Sequence, residues 1–431
     1  MGGMINMPPY ENIGKIVKEI APVMGDPRIY SKEYFEDFRK IAAFELLEGL
    51  KAKYKIFLNE FVTDVERNGR KISAVISTNT LTGKKTRIIG KIFSDCSGDG
   101  IVARKMGCET MYGREAKSVF NESLALDENQ KLVMGHSIRW YTEKIEDYTD
   151  FPDIDWNLKF DDNSCLNCTS GDWEQETGFT RDMVSEIEYI RDYGLRAIYS
   201  NWAYQKHHFK DKAKFANLKL KWVSHIGGKR EGYRVKGDYI LTQNDIENKV
   251  IHEDATASLS WSIDMHFPEP TNLEQFGEAF RSFAYHRGIE NPYPMPYRCL
   301  YAKDVDNLFI GGRLVSTSHV AFSSVRVMRT LGSLGEVVGL ASSICKKYNC
   351  TPKEIYTKYL DEFKEALKKG PDSPDSFGGG IGCDESYHFK DIGWWMLHTG
   401  KTQYPEKIEK FKKGVKALGL KHKYPMPEEW K

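Results

Sequence analysis

One strand ending constrains this chain more than any other feature. The stretch NLFIGGRLVSTSHV, residues 307–320, reads as a short buried strand, Asn307–Ile310, that stops at Gly311-Gly312-Arg313. Paired glycines at a strand end let the backbone approach a ligand with no side chain in between. The sequence continues as VRVMRTLGSLGEVVGLASSI, with Gly332, Gly335 and Gly339 at helical spacings of three and four. They share a face beside an apolar stripe of Leu331, Leu334, Val338 and Ala341. A glycine inside a helix costs about 1 kcal/mol. Three on one face therefore imply close approach, either of another backbone or of a bulky cofactor. The helix is expected to begin near Thr330–Gly332, with its unpaired N–H groups and positive dipole end turned toward that neighbour.

A second ending of the same kind occurs at IFSDCSGDG, residues 92–100, after a predicted buried strand Lys91–Ser94. Two such endings about two hundred residues apart suggest one ligand grasped by two distant parts of a sheet. Between them the chain changes character. Residues 30–53 carry a helical stripe of Tyr34, Phe35, Phe38, Ile41, Ala42, Leu46 and Leu47. KIFLNEFVTDVER and KISAVISTNTL read as strands joined by Asn68-Gly69, a hairpin signal, and Thr82-Gly83 turns the ribbon once more. Residues 116–300 are rich in aromatics and irregular polar loops, and Thr351-Pro352-Lys353-Glu354 is a capping box with proline at the first helical position. Residues 370–388 read as a Gly-, Pro- and Asp-rich loop, and EKIEKFKKGVKALGLKHK as a basic surface helix.

Charge and composition remove several classes of function. With 62 Lys and Arg against 61 Asp and Glu, the net charge of +1 gives no reason to expect nucleic acid or an anionic membrane as partner. No apolar run is long enough to span a bilayer, and the first twenty residues lack a secretory core. Eight dispersed cysteines make no disulfide framework. The expectation is a reduced, cytoplasmic, enzyme-sized protein acting on a small molecule, with a homo-oligomer left open. The aromatics that crowd the middle, from Trp140 to Tyr204, suit a core or a ligand cleft.

Candidate chemistry also lies in the middle. In SLSWSIDMHF, strict alternation puts Trp261, Ile263, Met265 and Phe267 on one face and Ser260, Ser262, Asp264 and His266 on the other. Asp264 and His266 can then enter one cleft, where a histidine beside a carboxylate suits a general base; a hydrogen-bonded polar face is the plainer alternative. In GKREGYRV, Arg230, Glu231 and Arg234 either grip an anionic substrate group or pair structurally at a domain seam. His319, seven residues past Gly312, and the pair Arg326 and Arg329 are weaker candidates. The one CxxC, Cys165 to Cys168, has no second pair to complete an iron–sulfur or zinc site, so the metal expectation is none.

Taken in order, SDCSGDG, YGREAKSVFNESLA, GGKREGYRVKGDYILTQNDI, SIDMHF and YPMPYRCLYAKDVDNLFIGGRLVSTSHVAFSSVRVMRTLGSLGEVVGLA resemble the bacterial FAD-dependent oxidoreductases. These share the flavin-binding architecture of the glutathione-reductase type and are distant relatives of the flavin-carrying heterodisulfide reductase chain. The resemblance implies FAD as cofactor. It implies that the backbone of Val62 contacts adenine, and that Ser97, Gly98 and Asp99 pass close to ribose and pyrophosphate. Gly311, Gly312 and Arg313 would lie beside the pyrophosphate and ribityl chain, and Gly332, Ser333 and Leu334 under the flavin pyrimidine edge.

The sequence also departs from that pattern. The architecture opens with a strand, a GxGxxG turn and a helix, whereas this chain starts MGGMINMPPYENIGKIV and has no such motif there. The expectation is an α/β fold: a Rossmann-like FAD-binding domain truncated at its N-terminus, with a second, mostly antiparallel β plus helix substrate domain. Residues 1–115 and 301–350 would build the first, 116–300 the second, and 351–431 a helical segment and tail. The chain on its own would hold FAD weakly and be poorly soluble. The expected function is hydride transfer from a small organic substrate to the flavin, with His266, Asp264 and Arg230 at the reaction. A non-redox ligand-binding remnant and a carbohydrate-binding protein are the alternatives.

Overall fold

The two glycine endings lie side by side. In the computed structural model, which describes residues 5–20, 43, 46–49, 53–171, 173, 175–289 and 292–372, the strands Phe93–Asp95 and Leu308–Ile310 run parallel. Phe93 pairs with Leu308, Ser94 with Phe309 and Ile310 with Asp95. Both strands therefore deliver their glycine turns to the same edge. Asp95 fixes the first turn: Oδ1 accepts from Ser97 N and Ser97 Oγ, and Oδ2 from Val102 N and Ala103 N of the helix Ile101–Lys105. The predicted strand Lys91–Ser94 is shifted to Phe93–Asp95, because Asn307 accepts Phe93 N through its carbonyl and holds the Lys91 carbonyl with its amide. Among the described residues this parallel pair has no third strand.

The ribbon forms as Glu60–Asn68, Lys71–Asn79 and Lys85–Ile89, paired in order and antiparallel. Gly69 and Gly83 take φ of +58° and +72° at its two turns. Its first strand starts at Glu60 rather than Lys55, since Asn59, at φ +56°, breaks the extended run. The ribbon packs Ile72 and Val75 on Val102, Ala103, Leu308 and Ile310, making one core from both ends of the chain. The helical stripe expected over 30–53 lies mostly outside the described residues; Ala43 and residues 46–49 are helical. The expected loop beyond Asp372 and the basic tail helix also lie outside them.

A larger core surrounds the helix Met328–Tyr348. It takes Leu334, Val337, Val338 and Ala341 from that helix, Leu241, Ile246, Ala257 and Leu259, and Tyr293, Met295, Tyr297 and Leu300. This core crosses residue 300, so the segment 241–300 packs with the glycine helix as well as with the middle of the chain. The alternating run SLSWSIDMHF is two strands, Ala255–Leu259 and Ile263–Pro268, broken at Ser260–Ser262. The first pairs with Tyr293–Pro296 and the second with Ser282–Arg287. The polar face of the second is buried too, at Asp264 and His266. A third core gathers the middle aromatics around the helix Ile187–His207, where Trp140 and Trp202 meet edge to face at 5.9 Å. Trp140, Tyr193 and Trp202 are thus core, while Tyr141, Trp156 and Tyr189 stay exposed. Cys165 belongs to this core and Cys168 packs against it, both as free thiols. Among the described residues no helix is long and apolar enough to cross a membrane.

Candidate active site

Where the two parallel strands end, a cavity of about 860 Å³ opens. One end of its wall is Cys96, Gly98, Gly312 and Arg313; another part is Asp264, His266 and Arg230; Trp173, Trp222 and Trp261 supply rings. Residues 98, 264, 266 and 312 therefore share one space although the chain separates them widely. Ligands in sheets with parallel strands bind at the carboxyl ends of those strands, which is where this cavity lies.

Strand geometry places the polar groups. Asp264 and His266 are two apart on Ile263–Pro268 and so project to one side. His266 Nδ1 lies 2.5 Å from Glu176 Oε1, a carboxylate with no exposed surface, and the edge of the Trp173 ring closes on the imidazole at 5.4 Å. Arg230 Nη1 approaches the same Glu176 oxygen at 3.1 Å and donates to Ser137 Oγ at 2.5 Å. Asp264 Oδ2 accepts from Arg326 Nη2 at 2.9 Å and from Trp261 Nε1 at 3.3 Å. Its other oxygen, Oδ1, is buried, with His266 Nε2 at 3.1 Å and His286 Nδ1 at 3.5 Å. Burial alone would raise the Asp264 pKa, but His266 and Arg326 pull it well below the usual carboxylate range. Asp264 is therefore a standing negative charge rather than a base.

The remaining sequence candidates fall in three places. Asp99 stands behind the glycine end, 2.8 Å from Lys229 Nζ and 3.4 Å from Arg313 Nη2. Ser97 caps the turn, accepting from Ile101 N, and Gly311 faces Cys96 Sγ. Val62 pairs with Ser77 in the ribbon and lies outside the cavity wall, as do Gly332, Ser333 and Leu334. The helix starts at Met328, a turn earlier than its glycines suggested. Its first turn thus presents Val327, Met328 and Leu331 to the cavity. Gly332 is instead packed on the helix Lys15–Ile20, Ser333 donates to the Arg329 carbonyl, and Leu334 is in the core. His319 is buried away from the wall, bound through Nδ1 to Glu231 Oε1 at 2.9 Å. Glu231 and Arg234 pair structurally, Arg234 also reaching Glu115 at 3.0 Å, whereas Arg230 alone of that trio lines the cavity. Arg326 bridges to Asp264.

Glu176 and Lys229 were not legible as site residues, and Trp173 only as one of the aromatics that suited a core or a cleft. Glu176 lies on a two-residue strand, Glu176–Thr177, too short to show a period.

The glycine end fits a large planar or phosphorylated ligand. Gly98 has φ +77° and a Cβ there would meet the Arg313 guanidinium carbon at 2.5 Å. Gly312 has φ +73° with open space where a Cβ would point. Only glycine provides both the backbone angle and the clearance. Arg313 and Lys229 add cations beside these glycines. Among the described residues no group of His, Cys, Asp and Glu side chains is placed to hold a metal ion.

Comparison with curated proteins and with solved structures yields no significant match. Comparison with protein families does: residues 30–367 match the FAD dependent oxidoreductases. That span covers the ribbon, both glycine endings, the cavity wall and the glycine helix, and the chain belongs to the FAD-dependent oxidoreductase family.

Proposed function

We propose that this cavity oxidises a small organic substrate with FAD as the electron acceptor, in a flavin fold of the glutathione-reductase type distantly related to the flavin-carrying heterodisulfide reductase chain. Gly98, Gly312 and Arg313, with Asp99 and Ser97 behind them, would hold the cofactor's diphosphate and ribityl part, and the first turn of Met328–Tyr348 would line the rest of its site. The bound flavin supplies acceptance of a hydride. The protein's own share is to hold the substrate and move its proton.

One observation carries the proton's path. The His266 ring stands between two carboxylates, Nδ1 at 2.5 Å from Glu176 Oε1 and Nε2 at 3.1 Å from Asp264 Oδ1. Carboxylates on both sides favour the protonated ring, so a proton taken up from the substrate is stabilised there. Glu176 and Arg230 fix the ring's orientation, while Arg326 and Trp261 fix Asp264.

Colour tests the cofactor. In excess FAD the chain should take on the spectrum of a weakly bound flavin and should release it on denaturation. Gly312→Val strains a backbone held at φ +73° and puts its side chain into the clear space beside Arg313, so it should lose stability as well as colour. A wild-type chain that folds and takes up no FAD would count against the reading. Once a reducing substrate is in hand, His266→Gln should slow flavin bleaching by about 10²–10⁴-fold, the range for loss of a proton-transfer group. An unchanged rate would remove His266 from the reaction.

A further inference from the structure

Resting on the flavin reading, we infer that His286 carries the substrate's proton out of the site, receiving it from His266 across Asp264 Oδ1 and releasing it to water. Strand pairing makes the arrangement. Ile263–Pro268 runs antiparallel to Ser282–Arg287, and Asp264 stands directly opposite His286, with Ala284 opposite His266. Directly opposed residues put their side chains on one face of an antiparallel pair. Asp264, His266 and His286 accordingly line the same cavity. Asp264 Oδ1 lies 3.1 Å from His266 Nε2 and 3.5 Å from His286 Nδ1, so one carboxylate oxygen joins the two rings.

Exposure gives the row a direction. The side chain of His266 is 4% exposed and that of Asp264 9%, whereas that of His286 is 48% exposed. Glu176 and the edge of the Trp173 ring close on His266 from its other sides. A ligand in the cavity would cover what remains, and the row is then the ring's route to water. Burial would raise the Asp264 pKa, but His266, Arg326 and His286 hold it well below the usual carboxylate range. A proton therefore crosses Oδ1 without settling there. The Nε2–H bond of the His266 imidazolium breaks as Asp264 Oδ1 gains the proton. The O–H bond breaks in turn as His286 Nδ1 gains it, and the imidazolium so formed gives a proton to water. An imidazole in contact with water exchanges protons readily near neutral pH.

The test reads proton exchange in the full chain carrying isotope-labelled histidine, and it needs no substrate. Exchange of the His266 Nε2–H proton with water is followed by NMR, the resonance being assigned by its loss in His266→Gln. The comparison is with His286→Asn, whose amide keeps a hydrogen bond to Asp264 but carries no proton away near neutral pH. His286→Asn should slow the exchange by about tenfold or more, as expected for loss of a proton-transfer group. Imidazole added to the buffer should restore part of the rate, which it would not do for a loss of packing. Exchange as fast in His286→Asn as in the parent chain would overturn the proposal, and so would slowed exchange that imidazole leaves slow. FAD uptake by the same samples separates the two readings. Slowed and rescued exchange in a chain that takes up no FAD keeps the proton row and loses the flavin. Uptake of FAD with exchange unmoved by His286→Asn loses only the proton row.

Discussion

Single residues here are held by charges that the sequence does not place beside one another. His136 is a case in point. It is buried, its ring lies against Gly227, and burial, with Lys229, Arg230 and Arg313 nearby, pushes its pKa down to about 4. The folded chain thus binds this proton less readily than the unfolded chain, where the value is 6.5. Its contribution to stability is whole above the unfolded value and is lost as pH falls from there toward 4, by up to about 3 kcal/mol. Replacing His136 by Phe should shrink the difference between denaturation midpoints at pH 7 and pH 4.5, and an unchanged difference would show that other groups dominate. Asp264 and His266 were legible because a period of two needs only local sequence. Glu176, which orients His266 from ninety positions away, was not, since no local pattern marks it.

At the scale of elements, the glycine helix separates two explanations that its sequence left together. Gly332 is explained by packing: a Cβ there would come 2.7 Å from Val17 Cγ2 of the helix Lys15–Ile20. That short helix is further tied down by Glu336, which accepts from Gly14 N at 2.6 Å and Val17 N at 2.9 Å. Around Gly335 and Gly339 no described atom lies within 4 Å of such a Cβ. Gly332→Ala should therefore destabilise the chain by about 1–3 kcal/mol through overpacking. Gly335→Ala should stabilise it by up to about 1 kcal/mol through helix propensity. Denaturant unfolding of both variants checks the contrast; a loss at Gly335 would mean that this face is covered. The capping box at Thr351 formed as its letters indicated, with Thr351 Oγ1 accepting from Glu354 N and Glu354 returning to Thr351 N. Thr351→Ala should cost about 1 kcal/mol in the same measurement. Caps and turns are legible because their partners are three residues away. The start of the glycine helix was misjudged because Val327 caps it with no side-chain hydrogen bond.

For the whole molecule, the decisive joints are ionic and buried. Arg234, with no exposed surface, meets Glu115 and Glu231 and donates to the Thr317 carbonyl, linking distant segments of the chain. Burial alone would raise the Glu231 pKa, but His319 and Arg234 keep it below its ordinary value, so its charge needs this cation. Arg234→Met should cost about 3–5 kcal/mol, because it strands buried carboxylates. A midpoint shift of less than about 1 kcal/mol would show that Arg234 is dispensable. The sequence motifs indicated which turns converge, but the cores ignore the expected boundary at residue 300, since packing follows space rather than chain order. The parallel pairing of Phe93–Asp95 with Leu308–Ile310 also sets a clock. A ribosome adding about 5–20 residues each second needs roughly 10–40 s to pass from the first strand to the second. During that interval the SDCSGDG turn has no facing strand, so the glycine end of the cavity closes only after residue 310 has been made.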